Sequence, residues 1–323
     1  MSTATAALAS SRQQTQSARH TPSLLSILTW ELRRFLANRL FWIQAIGFFC
    51  FLLLVFLVSH NDISIGYSAF TFDGSVAISS PWGIVEQLPT GSLMLLCMLL
   101  PFINADGVTR DLTRRTHELL MTTAVPNWAY VWGRYLIGLV MSLGLAIVLL
   151  VAILGLGLAR HLTDANYPAP VIGPVLLLWV GMVLPAVILV SNLSFALGTI
   201  FPRQSTLIKI AVLFGWFFGA LIVPAAMGLQ NSQTPPAWYS AWDPTSAVSA
   251  AATRPQYDAA FSHLLKTATS LVQAQHDFLT VENMVPNVSA WFAQHLILGA
   301  LSLVFVALAA FTFQRFRNAL SAS

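Results

Sequence analysis

Charge is scarce in this sequence. Only 9% of its 323 residues are Asp, Glu, Lys or Arg, while 56% are hydrophobic and the mean hydropathy is +0.71. An ordinary soluble domain carries about 25% charged residues. The imbalance excludes a soluble globular chain and points to an integral membrane protein. Cysteine is nearly absent as well. Cys50 and Cys97 both lie in apolar runs, so neither a disulfide framework nor a thiolate metal site is expected, and both read as small buried hydrophobes. Lys209 and Lys266 are the only lysines, and neither follows glycine. That excludes the Gly-Lys-Ser/Thr ending of a phosphate-cradling loop, so no nucleotide site is expected in this chain. No H-E-x-x-H pair exists to hold a catalytic metal. Ser191, Asn192 and Ser194 are polar groups inside an apolar run with no histidine placed to act as their base, so they are expected to hydrogen-bond between helices. No catalytic, cofactor-binding or metal-ligating residue is expected. The centres of the apolar runs carry no ionisable side chain, which argues against a proton- or sodium-coupled carrier.

Six apolar runs are long enough to cross a bilayer, at about 20 residues each. They cover about 40–58, 88–105, 128–159, 171–200, 206–229 and 291–313. The predicted fold is therefore all-α, a bundle of six transmembrane helices. Runs three and four are longer than a span requires, and Pro185 and Pro224 mark expected irregularities in runs four and five. Residues 1–22 are polar and read as a disordered tail, 23–318 as the membrane domain, and 319–323 as a short second tail. Leu25, Leu28, Leu32, Phe35 and Leu36 recur at helical spacing opposite Ser26, Thr29, Arg33 and Arg34. This predicts an amphipathic helix lying on the membrane surface before the first span.

The basic residues give the orientation. Arg12, Arg19, Arg33, Arg34 and Arg39 precede the first span, Arg110, Arg114, Arg115 and Arg134 flank the second connection, Arg203 and Lys209 the fourth, and Arg315 and Arg317 follow the last span. The opposite side keeps Arg160, Arg254 and Lys266. Both termini are thus predicted to be cytoplasmic in a multi-pass protein of the cell membrane. The basic pI near 9.4 then reflects topology, and no nucleic-acid partner is expected. Trp82, Trp238, Trp242 and Trp291 fall near predicted outer boundaries, where interfacial aromatics are expected. The outer connection, about 230–290, is too long for a plain loop. Phe261, Leu264, Leu265, Ala268, Leu271, Val272, Phe278 and Leu279 predict an amphipathic helix there, and His263 and His276 read as surface residues. In run five, Ala211, Gly215 and Gly219 form a four-residue ridge that lets helices approach closely, within the protomer or at a central path.

One stretch gathers charge on the predicted inner face: "DGVTRDLTRRTHELLMTTAVPNWAYVWGRYL", Asp106 to Leu136. Thr109 can cap a short helix over about 109–121, Asp111 and Arg115 form an i,i+4 pair, and Leu112, Leu119 and Leu120 supply an apolar edge before Pro126 ends it. This reads as a docking knob for a cytoplasmic protein. Arg110, Thr116, the Glu118–Leu120 "ELL", Thr122, Thr123, Pro126 and Gly133–Arg134 resemble the pattern of the ABC type-2 permease family, the membrane subunits of ATP-binding-cassette exporters. Arg115 stands where that pattern has glycine. "WDPTSAV" at Trp242–Val248 is similar to a family turn, with Asp243 in place of asparagine.

The resemblance, over roughly 24–318, implies a permease paired with a second copy or a related chain, and with two ATPase subunits that supply ATP and Mg. It makes Arg110, Asp111, Arg114, Arg115, Thr116, Glu118, Leu119 and Leu120 the expected ATPase-docking residues of a coupling helix. It places the second and fifth spans along a path between protomers. The apolar span centres suit a hydrophobic or amphipathic cargo. The alternative is an ATP-driven mechanical relay acting on an extracytoplasmic partner; a membrane enzyme lacks the necessary groups.

Overall fold

The computed structural model describes residues 24–58, 61–67, 70–108, 127–164, 167–229 and 234–313. The predicted tails 1–22 and 319–323 lie outside these residues. The chain opens with α1 (Leu24–Leu36) and α2 (Arg39–Val58). They are separate helices: the chain turns at Ala37–Asn38, the Asn38 side chain accepts from the Leu40 N–H at 3.2 Å, and the Trp42 indole donates to the Leu36 carbonyl at 2.7 Å. A hairpin follows, β1 (Asn61–Tyr67) paired antiparallel with β2 (Phe70–Val76), Asn61 opposite Val76 and Tyr67 opposite Phe70. Apart from this hairpin the described residues are helical, as the all-α expectation has it. The alternation Ile63, Ile65, Tyr67 and Phe70, Phe72 carries the period of two that a strand needs.

Next come α3 (Pro81–Gln87) and α4 (Ser92–Asn104), a pair bent by 56°. The predicted second span therefore begins four residues late and is entered through a separate short helix. Pro89 supplies no amide proton and Gly91 no side chain, so the helical ladder breaks between them. The long helix α5 (Asn127–Thr163) follows; at 37 residues it is about 55 Å long, well beyond a ~30 Å apolar layer. Helix α6 spans Ile172–Ile200, α7 Pro202–Ala226 and α11 Phe292–Thr312. Between α7 and α11 lie α8 (Ala237–Trp242), α9 (Ala247–Thr267) and α10 (Leu271–Glu282). Among the described residues five helices, α2, α5, α6, α7 and α11, are long and apolar enough to cross a membrane, and the bent α3–α4 pair brings the number to six if it counts as one span.

The irregularities predicted at Pro185 and Pro224 take the form of π-turns just before each proline, over Trp179–Val183 and Phe218–Ile222. A proline removes the hydrogen bond to the carbonyl four residues back and crowds it, and a wider turn relieves the crowding. For Pro185 that carbonyl belongs to Gly181. It is not wasted: His295 Nδ1 of α11 lies 3.1 Å from it, and the Ser246 hydroxyl donates to the neighbouring Met182 carbonyl at 3.3 Å. Neighbouring helices thus satisfy the freed backbone, as burial in an apolar layer demands. Helix α6 is the centre of the bundle and packs on α4, α5, α7 and α11. Its Gly198 lies against α4 so closely that a Cβ there would come to 2.0 Å from the Ala105 carbonyl oxygen, so only glycine fits.

The connection between α7 and α11 folds into a cap. Trp82 of α3 stacks on Tyr257 of α9 at 5.5 Å, with Phe278 of α10 at 5.7 Å and Phe261 at 6.2 Å. Trp82 and Trp291 are each 1% exposed. They are core residues under the cap, which corrects the interfacial expectation; Trp238 and Trp242 remain exposed. The single amphipathic helix predicted for this region is two helices. The chain breaks at Ala268–Ser270, and the Ser270 hydroxyl caps α10 by accepting from Gln273 N–H at 3.2 Å. The break resets the helical phase, so Leu271 and Val272 are exposed while Ala274, Phe278 and Val281 are buried. His263 and His276 are exposed, as expected. Cys97 is buried but Cys50 is exposed, against expectation, because α2 turns much of its surface away from the bundle.

A carboxyl group holds the cap to α3. Glu282 is fully buried and accepts from the Ala77 N–H at 2.6 Å, with the Ser80 hydroxyl 3.5 Å away. Burial pushes this carboxyl up to about 8 from an ordinary 4.5, against the opposing pull of those two donors. The folded state therefore holds a proton that the unfolded chain releases at lower pH. The stabilisation is complete below about 4.5 and is lost as pH rises through about 8. Melting of the purified protein in detergent should fall across that window, by a few kcal/mol at most. Glu282→Gln should flatten the fall while keeping the bond to Ala77. An unchanged pH profile in that variant would remove Glu282 as its source.

Candidate functional site

The eight predicted docking residues, Arg110, Asp111, Arg114, Arg115, Thr116, Glu118, Leu119 and Leu120, lie outside the described residues. The frame that carries them does not. Val108, just before the stretch, packs in one aromatic-rich cluster with Tyr130 and Val131, just after it, and with Tyr135, Phe195, Val306 and Phe313. Tyr130 stacks on Phe313 at 5.9 Å. The chain thus leaves and returns to the bundle at one place, on α4, α5, α6 and α11.

Two ion pairs brace this end, and Asp106, Lys209 and Arg134 from them line one cavity of about 80 Å³ together with Asn104, Gly138 and Phe195. In the first, Asp106 after α4 accepts from Lys209 Nζ of α7 at 2.6 Å and from the Ser205 hydroxyl. In the second, Glu31 of α1 accepts from Arg134 of α5 at 2.8 Å, with Arg34 at 3.5 Å. Arg134 also lies 5.5 Å from the Tyr130 ring centre. Both members of the Glu31–Arg134 pair are buried, with side chains 1% and 4% exposed. The sequence marks Arg134 as an inner-boundary charge and gives Glu31 no role. The signal was present: Glu31 sits three residues after Leu28 and four before Phe35, inside the apolar stripe of α1.

Deeper in the bundle, neutral polar groups link the helices. The Asn104 amide nitrogen lies 2.9 Å from Ser142 Oγ and 3.4 Å from Ser191 Oγ, joining α4, α5 and α6. Asn192 accepts from the Tyr135 hydroxyl at 2.7 Å and donates to Ser302 at 2.6 Å, joining α5, α6 and α11. Ser191 and Asn192 therefore do what the sequence implied, while Ser194 is buried with no hydrogen-bond partner among the described residues. Of the predicted ridge, Gly219 approaches Thr245, but Ala211 and Gly215 are exposed and a Cβ at Gly215 would meet nothing. They share an open face of α7 with Leu207, Phe214 and Phe218. The intraprotomer packing read for the ridge holds only at Gly219.

Among the described residues no His, Cys, Asp or Glu cluster could hold a metal ion. Ion pairs and hydrogen bonds thus tie six helices, α1, α4, α5, α6, α7 and α11, at and below the end where Val108 and Tyr130 meet. Several helices long and apolar enough to cross a bilayer make this a multi-pass membrane protein. Residues 79–312 match the family described as ABC-2 family transporter protein, and the chain belongs to that family. It is the membrane component of an ABC transporter, a family that works with an ABC ATPase subunit. The matched region starts after α1, α2 and the hairpin. No curated protein and no solved structure matches the chain.

Proposed function

We propose that this chain is the permease of an ABC exporter for a hydrophobic or amphipathic substrate, driven by a separate ATPase docked on residues 109–121. Membership of the ABC-2 family is the observation that carries the reading. The absence of any lysine after glycine supports the division of labour, because the chain has no loop to cradle a nucleotide's phosphates. The ion-paired frame around Asp106 and Arg134 supports it too, since a docked stroke at 109–121 would reach α4, α5, α1 and α7 at once. In this reading α1 lies on the cytoplasmic surface, both termini are cytoplasmic, and two permease copies or related chains meet two ATPases. The exposed Ala211–Gly215 face of α7 supports a contact between protomers. The folded cap of α8–α10 favours a second reading, in which the stroke is delivered to an extracytoplasmic partner without a transported solute.

The purified chain alone should hydrolyse no ATP, and turnover should require the added ATPase subunit. Turnover that co-elutes with the single polypeptide, and persists after the contaminating ATPases are removed, would end the proposed division of labour.

A further inference from the structure

The break between α3 and α4 lines two cavities at the end of the bundle opposite Asp106. One, of about 400 Å³, is bounded by Val85, Ala220, Leu221, Pro224, Ala250 and Arg254. The other, of about 290 Å³, lies on the far side of the break against Val55, Phe56 and Ile153. Glu86 and Thr90 line both. Irregular backbone among apolar helices is tolerated where it borders a cavity, and the π-turn of α7, over Phe218–Ile222, borders the larger one through Ala220 and Leu221. Cavities of this size, mostly apolar with a few convergent polar groups, are the usual form of a small-molecule site.

The charges at this cleft are arranged for exchange. Arg254 of α9 reaches Glu86 at 3.2 Å and Asp258 at 3.7 Å. Glu86 is 15% exposed in its side chain, Arg254 48% and Asp258 52%. The recessed partner is thus the carboxylate that faces both cavities, and the guanidinium is the outer, more solvated one. If a second cation takes Glu86, Arg254 keeps its bond to Asp258 and is not left unpaired. An incoming anion finds no such exchange, because Arg254 would have to leave two carboxylates.

We propose that this cleft binds a cationic amphiphile, with Glu86 as the recognising carboxylate and Arg254 as a counter-ion that swings to Asp258 when the ligand enters. Its apolar body lies between the α3–α4 break, α7 and α9. The proposal rests on the permease reading for its role in transport, and binding itself requires no ATPase.

The test is equilibrium binding of radiolabelled tetraphenylphosphonium to the full chain in nanodiscs of neutral lipid, against the size-matched anion tetraphenylborate. The wild type should bind the cation saturably and the anion not. Glu86→Gln should weaken cation binding at least about tenfold, since it removes one partner of a desolvated charge pair. Arg254→Ala should tighten binding several-fold by removing the competitor, a gain that misfolding cannot produce. Asp258→Asn should weaken it, because Arg254 then stays on Glu86. Absence of saturable cation binding, preference for the borate, or wild-type binding by Glu86→Gln overturns the proposal. Any of these outcomes alongside intact ATPase-dependent turnover would remove the cleft and leave the permease reading standing.

Discussion

Arg134→Leu is expected to cost about 3–5 kcal/mol of stability, the typical result of removing one partner from a buried ion pair. The cost arises because Glu31 stays behind, 1% exposed among Leu28, Phe35 and the start of α5, with Arg34 at 3.5 Å as a poor substitute for a 2.8 Å partner. Glu31→Leu should do comparable damage by taking from the buried Arg134 guanidinium its 2.8 Å carboxylate. The double variant should recover most of the loss, since two apolar side chains of similar volume often replace a buried pair at little cost. Unfolding of the three variants in detergent, read by melting temperature, checks the cycle. If the two single losses simply add in the double variant, the pair is not the unit described here. A recovered fold with lost ATP-driven function would further assign the pair to coupling and not only to stability.

The helices that cross the bundle were legible because about 20 apolar residues at 1.5 Å each leave few other options. The interhelical roles of Ser191 and Asn192 were legible for the same kind of reason: a polar side chain in an apolar run needs a partner, and a neighbouring helix is the nearest source. The Glu31–Arg134 pair was not, since its members are 103 residues apart and each alone resembles a boundary charge. Trp82 and Trp291 were misplaced because a local window cannot distinguish an aromatic at the headgroups from one beneath the protein's own cap. The cap's helix phase was misread for a similar reason. One pattern was carried across Ala268–Ser270, where a serine cap starts a new helix. The break at 88–91 was hidden by leucines on both sides, although Pro89 and Gly91 marked it.

In the proposed assembly the charged stretch after Asp106 receives the ATPase. Residues 109–121 carry an "ELL" edge on a connection whose two ends meet in the Val108–Tyr130 cluster and are braced by Asp106–Lys209 and Glu31–Arg134. Glu118→Arg reverses a charge at the proposed contact, which can cost several kcal/mol of association. Leu119→Asp puts a carboxylate where the proposed contact needs an apolar side chain, with a similar penalty. The sequence puts both residues outside its apolar runs, so membrane levels should hold. The most direct measurement is co-purification of the ATPase subunit with the permease from membranes, normalised to permease level. Both variants should lose the ATPase, while Gln273→Arg on the exposed side of the cap should retain it. Wild-type ATPase recovery by both Glu118→Arg and Leu119→Asp would contradict the account and reduce the stretch to a topology anchor.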